Sequence, residues 1–172
     1  MMLKSITIFL FTFCLLACQK QQEQISVEEE KEMVSNKVSE RDINKMSFKD
    51  LALSEEAENL TNSWLKYVEL QSHINEIRKA DLVFFKNNYA DINMLFNDIK
   101  KEIPEKFNTN IIISRINLLD TKIAILCGNL NKSYVSKNTL LKNIKDVLEA
   151  NSTLNLHIER KIEFDEFYVV PD

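Results

Sequence analysis

The stretch IISRINLLDTKIAILCGNL (112–130) repeats apolar residues at helical spacing. Ile112, Ile116, Leu119, Ile123, Leu126 and Leu130 follow one another by four, three, four, three and four. Just upstream, LVFFKNNYADINMLFNDIKKEI (82–103) does the same through Leu82, Phe85, Tyr89, Ile92, Phe96, Ile99 and Ile103. This spacing lines one face of an α-helix and marks the seam of a bundle. Pro104 lies between the two runs, where it ends the first helix and precedes the second. Ile111, Ile113, Leu118 and Ile125 widen the apolar face of the second helix, which is therefore expected to be the most buried.

Working outward, residues 131–136 read as a turn, with Ser136 the candidate N-cap of a final helix. That helix carries Leu140, Leu141, Ile144, Val147, Leu148, Leu154, Ile158 and Ile162, and Asn151 occupies one seam position. Before Leu82, a helix is expected through Ala57, Leu60, Trp64, Tyr67, Val68 and Ile74. Its start is marked by Ser47 with Asp50, or by Ser54 followed by acids. The seam slips at Arg78-Lys79-Ala80-Asp81 without a Gly or Pro. A tight hairpin there gives four helices running up and down. A continuous helix from 54 to 103 would be about 75 Å long, and the later helices could cover only half of it. The hairpin is the favoured reading.

Composition agrees with this class. The chain has 172 residues, of which only 1 is Gly and 2 are Pro. Gly-rich phosphate loops and the many turns of sandwiches and barrels are thereby excluded. The expected fold is all-α, an antiparallel bundle of three to four helices over residues 47–166. An apolar share of 45% and a charged share of 28% are those of a globular domain. The formal net charge of −4 is unsuited to nucleic acid.

The beginning of the chain carries a different signal. Lys4 is followed by the apolar run ITIFLFTFCLL (6–16), which matches the core of a secretory signal peptide and is short for a membrane span. It closes on Leu15-Leu16-Ala17-Cys18. These residues resemble the lipobox of a bacterial lipoprotein precursor. The resemblance implies cleavage after Ala17, a diacylglycerol on the Cys18 sulfur and a further acyl chain, such as palmitate, on the new amino group. Two or more chains anchor stably. By the same resemblance, Gln19 after the Cys points to the outer membrane. A single acid in residues 19–23 favours its periplasmic face.

Residues 1–17 are thus expected as signal peptide, 18–46 as lipidated Cys and flexible acidic tether, and 167–172 as a C-terminal tail. The tether reading rests on sparse apolar residues and the acids at 28–30 and 32, which cannot offset ordering entropy. The apolar segment 164–170 is expected to fold back over the bundle end. The body also resembles small helical lipoproteins of flavobacteria, through the pattern around Trp64, Ile103-Pro104-Glu105, Ser114-Arg115-Ile116 and Leu119-Asp120-Thr121. That resemblance carries no activity.

Little chemistry is legible. Glu69, His73 and Glu76 share a helix face, but neither His73 nor His157 has the Glu three residues earlier that a di-iron bundle uses. Cys127 is expected as a buried, inert thiol. Gly128 is expected to cap its helix or permit a close contact. Arg115, among isoleucines, is expected as a boundary residue or half of an interhelical ion pair. No catalytic residue, metal or cofactor is expected. The reading is a non-enzymatic, lipid-anchored envelope protein with a structural or protein-interaction role. It contacts membrane through Cys18 and, through its body, an envelope protein partner. The alternative is a periplasmic module holding a small apolar ligand near Phe84, Phe85, Tyr89 and Phe96.

Overall fold

A computed structural model describes residues 37–168. The expected signal peptide, and the expected tether up to residue 36, lie outside the described residues. So does the end of the expected tail, from residue 169.

Among the described residues the fold is all-α, without strands. It has six α-helices: α1 (Glu40–Asn44), α2 (Glu55–Thr61), α3 (Leu65–Arg78), α4 (Tyr89–Lys101), α5 (Asn110–Leu130) and α6 (Lys137–Tyr168). A 3-10 turn, Glu105–Phe107, follows Pro104. Helices α4 and α5 pack antiparallel. Asn129–Asn143 (2.7 Å) and Lys122–Asp146 (3.1 Å) set α5 antiparallel to α6. Gln71–Asn151 and Tyr67–Asn155, each 2.9 Å, set α3 antiparallel to α6. The seam residues Ile112, Ile116, Leu119, Ile123 and Leu126 are buried as their spacing requires, and so are Ile144, Val147, Leu148, Leu154, Ile158 and Ile162. Ser136 caps α6 by accepting from the Thr139 N–H.

The helix count departs from three to four for physical reasons. The expected helix across 54–78 breaks at Asn62–Trp64. Thr61 Oγ1 donates to the carbonyls of Ala57 and Glu58, competing with the helical ladder. Trp64 leaves helical geometry (φ −89°, ψ 73°) and is fully buried, its ring stacked on Tyr67 and Phe107. Its Nε1–H donates to the Ile99 carbonyl at 3.0 Å. Ile99 lies in the last turn of α4, where carbonyls lack helical partners.

The chain does turn after Arg78. The Asp81 and Ala80 N–H groups donate to the carbonyls of Glu76 and Ile77, both at 2.9 Å. This is a Schellman closure with Ala80, at φ 59°, in the left-handed position that glycine usually fills. Asn87 (φ 67°) makes a second left-handed bend, so α4 starts at Tyr89 instead of Leu82. Tyr89 itself is half exposed.

Three further expectations change. Residues 38–46 are not tether: α1 opens on a reciprocal cap between Ser39 and Asp42, and Val38 and Ile43 are buried in the core. Lys137 and then Ser39 hold the Asp42 carboxyl well below the usual range. Residues 164–168 do not fold back: α6 continues through them, supported by the Lys161–Asp165 pair, and leaves Phe167 exposed. The widened apolar face of α5 is not buried as expected: Ile111 and Ile125 are exposed, and Ile113 and Leu118 are half-buried.

Candidate functional site

Leu15, Leu16, Ala17 and Cys18 lie outside the described residues. The described body offers two polar regions, one on each edge of α6.

The first edge carries Ser152, Asn155 and Glu159, spaced at one helical turn. Residues 46–54 carry no helix and lie along this edge as a strap. The Leu51 N–H donates to Ser152 Oγ (2.7 Å), Asn155 Nδ2 donates to the Leu51 carbonyl (2.7 Å), and Ser54 donates to Glu159. Ser152 Oγ also donates to Asp50, whose carboxylate takes two bonds from Arg78 (2.7 and 3.1 Å). Inside the strap, the Tyr67 hydroxyl donates to Asn155 Oδ1. Burial, followed by the charges of Glu159 and Glu58, raises its pKa. A cleft of about 340 Å³ opens between strap and α3, bordered by Asp50, Glu58, Asn62, Gln71, Asn75 and Arg78 among others. Within it Arg78 bonds both Asp50 and Asn75, which ties the strap to α3.

The other edge of α6 faces α5. Arg115 lies fourteen residues before Asn129 and His157 fourteen after Asn143, and Arg160 follows His157 by one turn. Arg115 Nε is buried without a hydrogen-bond partner. Burial, then the guanidiniums of Arg115 and Arg160, lower the His157 pKa. Arg115 is half-buried, as expected of a boundary residue, and among the described residues it forms no ion pair.

The residues singled out in sequence are dispersed. Glu69 turns to Lys66 (2.8 Å), while His73 pairs with Glu76 (2.8 Å) and stacks flat on Phe84 at 3.5 Å. Among the described residues no three His, Cys, Asp or Glu side chains converge on a metal position. Phe85 and Phe96 are buried in the core, Phe84 stacks on His73 and Tyr89 is half exposed. Cys127 is buried, and burial pushes its thiol up to about 11. Gly128 neither caps nor makes a close contact: it sits within α5, and a Cβ there would meet nothing within 4 Å. Sequence reasoning missed the polar stripe of α6. Its only trace was the polar residues Asn151, Ser152 and Asn155 amid an apolar period.

No family model matches the chain, and neither a curated protein nor a solved structure matches it.

Proposed function

We propose that this chain is a lipid-anchored envelope protein whose helical body has a structural or protein-interaction role. The observation that carries the reading is Leu15-Leu16-Ala17-Cys18, directly behind Lys4 and the apolar run 6–16. The Cys18 thiol is the nucleophile that takes the diacylglycerol, and the acyl chains then hold the protein to the membrane. Gln19 favours the outer membrane, and the single acid in residues 19–23 favours its periplasmic face. No helix among the described residues is long and apolar enough to cross a membrane.

The interaction role is favoured over an apolar ligand by what the aromatic side chains do. Phe85 and Phe96 fill the core, Phe84 stacks on His73 and Tyr89 is half exposed. They serve packing, and none of the four borders the cleft under the strap.

The test is metabolic labelling with a tagged fatty acid, followed by detergent-phase partition. Wild-type protein is expected to take the label and enter the detergent phase. Cys18→Ser is expected to do neither, and to persist as uncleaved precursor. Label retained by Cys18→Ser would overturn the assignment.

A further inference from the structure

The α5-facing edge of α6 concentrates positive charge that forms no ion pair among the described residues. Fourteen residues from the Asn129–Asn143 contact along each helix lie Arg115 on α5 and His157 on α6, with Arg160 one turn beyond; the charges of both arginines reach the His157 imidazole. Neither arginine forms an ion pair among the described residues. Nearby acids are engaged elsewhere: Asp146 with Lys122 and Lys142, Asp165 with Lys161, and Glu159 with Ser54. Glu163, exposed and one turn from Arg160, makes no ion pair with it. Arg115 Nε is buried and orphaned, which costs the full desolvation of a charged donor. In a chain of net charge −4, such a cluster is a local reversal of the overall field.

We propose that Arg115, His157 and Arg160 form a binding site for a phosphate group. A guanidinium presents a planar fork of donors matched to phosphate oxygens. A bound anion would satisfy the orphaned Nε–H and neutralise both arginines, and the half-buried imidazole of His157 would add a donor. The phosphate could belong to a phospholipid headgroup or to a soluble compound. The site lies wholly within the described body and does not depend on lipidation.

The experiment follows the ring resonances of the two histidines by NMR in the full-length chain carrying Cys18→Ser. Inorganic phosphate is titrated at constant ionic strength against sodium chloride. The expected result is a saturable shift at His157 with an upward move of its titration midpoint, while His73 stays unchanged. Arg115→Gln should weaken binding about tenfold or more. Arg160→Gln, at an exposed position where folding is not at stake, should weaken it in the same direction. Glycerophosphoethanolamine, a headgroup diester, separates the two sources. A response to the diester assigns the lipid headgroup, and a response to inorganic phosphate alone assigns a soluble phosphate. No shift, a shift that chloride reproduces, or one unchanged in both variants would overturn the proposal.

Discussion

Gln71 and Asn151 exchange two hydrogen bonds across the α3–α6 seam. Gln71 Nε2 donates to Asn151 Oδ1 at 2.9 Å, and Asn151 Nδ2 donates to Gln71 Oε1 at 3.2 Å. Asn151 is fully buried at a position where the helical period would place an apolar residue. Paired, its amide fixes the register of the two helices; unpaired, it would be a buried liability. Asn151→Ala should therefore cost about 2 kcal/mol, by stranding Gln71 and opening a small void. Replacing both residues with Leu should cost much less, because no orphan remains. Denaturant melts of the two single variants and the pair check this, and equal losses for pair and single would refute the coupling.

Trp64 joins two jobs, filling the space between Tyr67 and Phe107 and capping the Ile99 carbonyl. Trp64→Ala should cost about 3–5 kcal/mol. Trp64→Phe keeps most of the packing but strands the carbonyl, and should cost about 1–3 kcal/mol. Chemical denaturation measures both, and a loss below about 1 kcal/mol for Ala would show the ring to be dispensable.

The body begins at Val38, so a chain starting at Ser47 lacks Val38 and Ile43, both buried. Loss of those two side chains from the core should remove about 3–5 kcal/mol relative to a chain starting at Lys37. Ile43→Ala alone should cost about 2–4 kcal/mol. If the two truncated chains melt together, α1 contributes nothing to the fold.

Alanine and glycine each occupy the place that suits the other. Ala80 holds φ 59° in the turn after α3, and Gly128 lies in α5 with open space where a Cβ would stand. Ala80→Gly should stabilise by about 0.5–1 kcal/mol by relieving left-handed strain. Gly128→Ala should stabilise by a similar amount, about 0.5–1 kcal/mol, through helix propensity. The sites are separate and the gains should add. A fall in melting temperature for either variant would show that the backbone preference at that site is outweighed.

Cys127 stays protonated in the fold to about 11, against 9.0 for the free thiol. Thiol reagents at about pH 8 should label the native protein at least tenfold more slowly than the denatured chain. The linkage runs toward alkaline lability. Above the unfolded value the unfolded chain releases the thiol proton and the native one does not, so stability falls as pH rises from 9.0 toward about 11. Tyr67, also raised by burial, adds to the same limb. Cys127→Ala should flatten part of that limb in pH-dependent melts. An unchanged alkaline limb would show that the thiol is not protected.

The sequence read the bundle most clearly where helices are regular. The seam through Ile112 to Leu126 is buried residue for residue, and Cys127 and Trp64 are buried beside it. It read least where side chains reach across the chain. The α6 stripe of Ser152, Asn155 and Glu159 has no function until the strap lies against it, about 100 residues away in sequence. The turn at Ala80 left no glycine to mark it. Val38 and Ile43 belong to the core and not to a tether, because two apolar residues among many charges look solvated until a core accepts them.

What the sequence determined by itself is local: an all-α chain, its principal helices from α3 to α6, their buried faces, and the cap at Ser136. Spacing by three and four, and the scarcity of Gly and Pro, are properties of neighbouring residues, and helix geometry converts them directly into faces. Tertiary structure alone decided where the helices break, which amide meets Asn151, where the strap docks, and that the charge of Arg115 reaches His157. Each of these joins residues that are distant along the chain. Their pairing is set by which packing leaves the fewest buried polar groups unmatched, and periodicity carries no record of that.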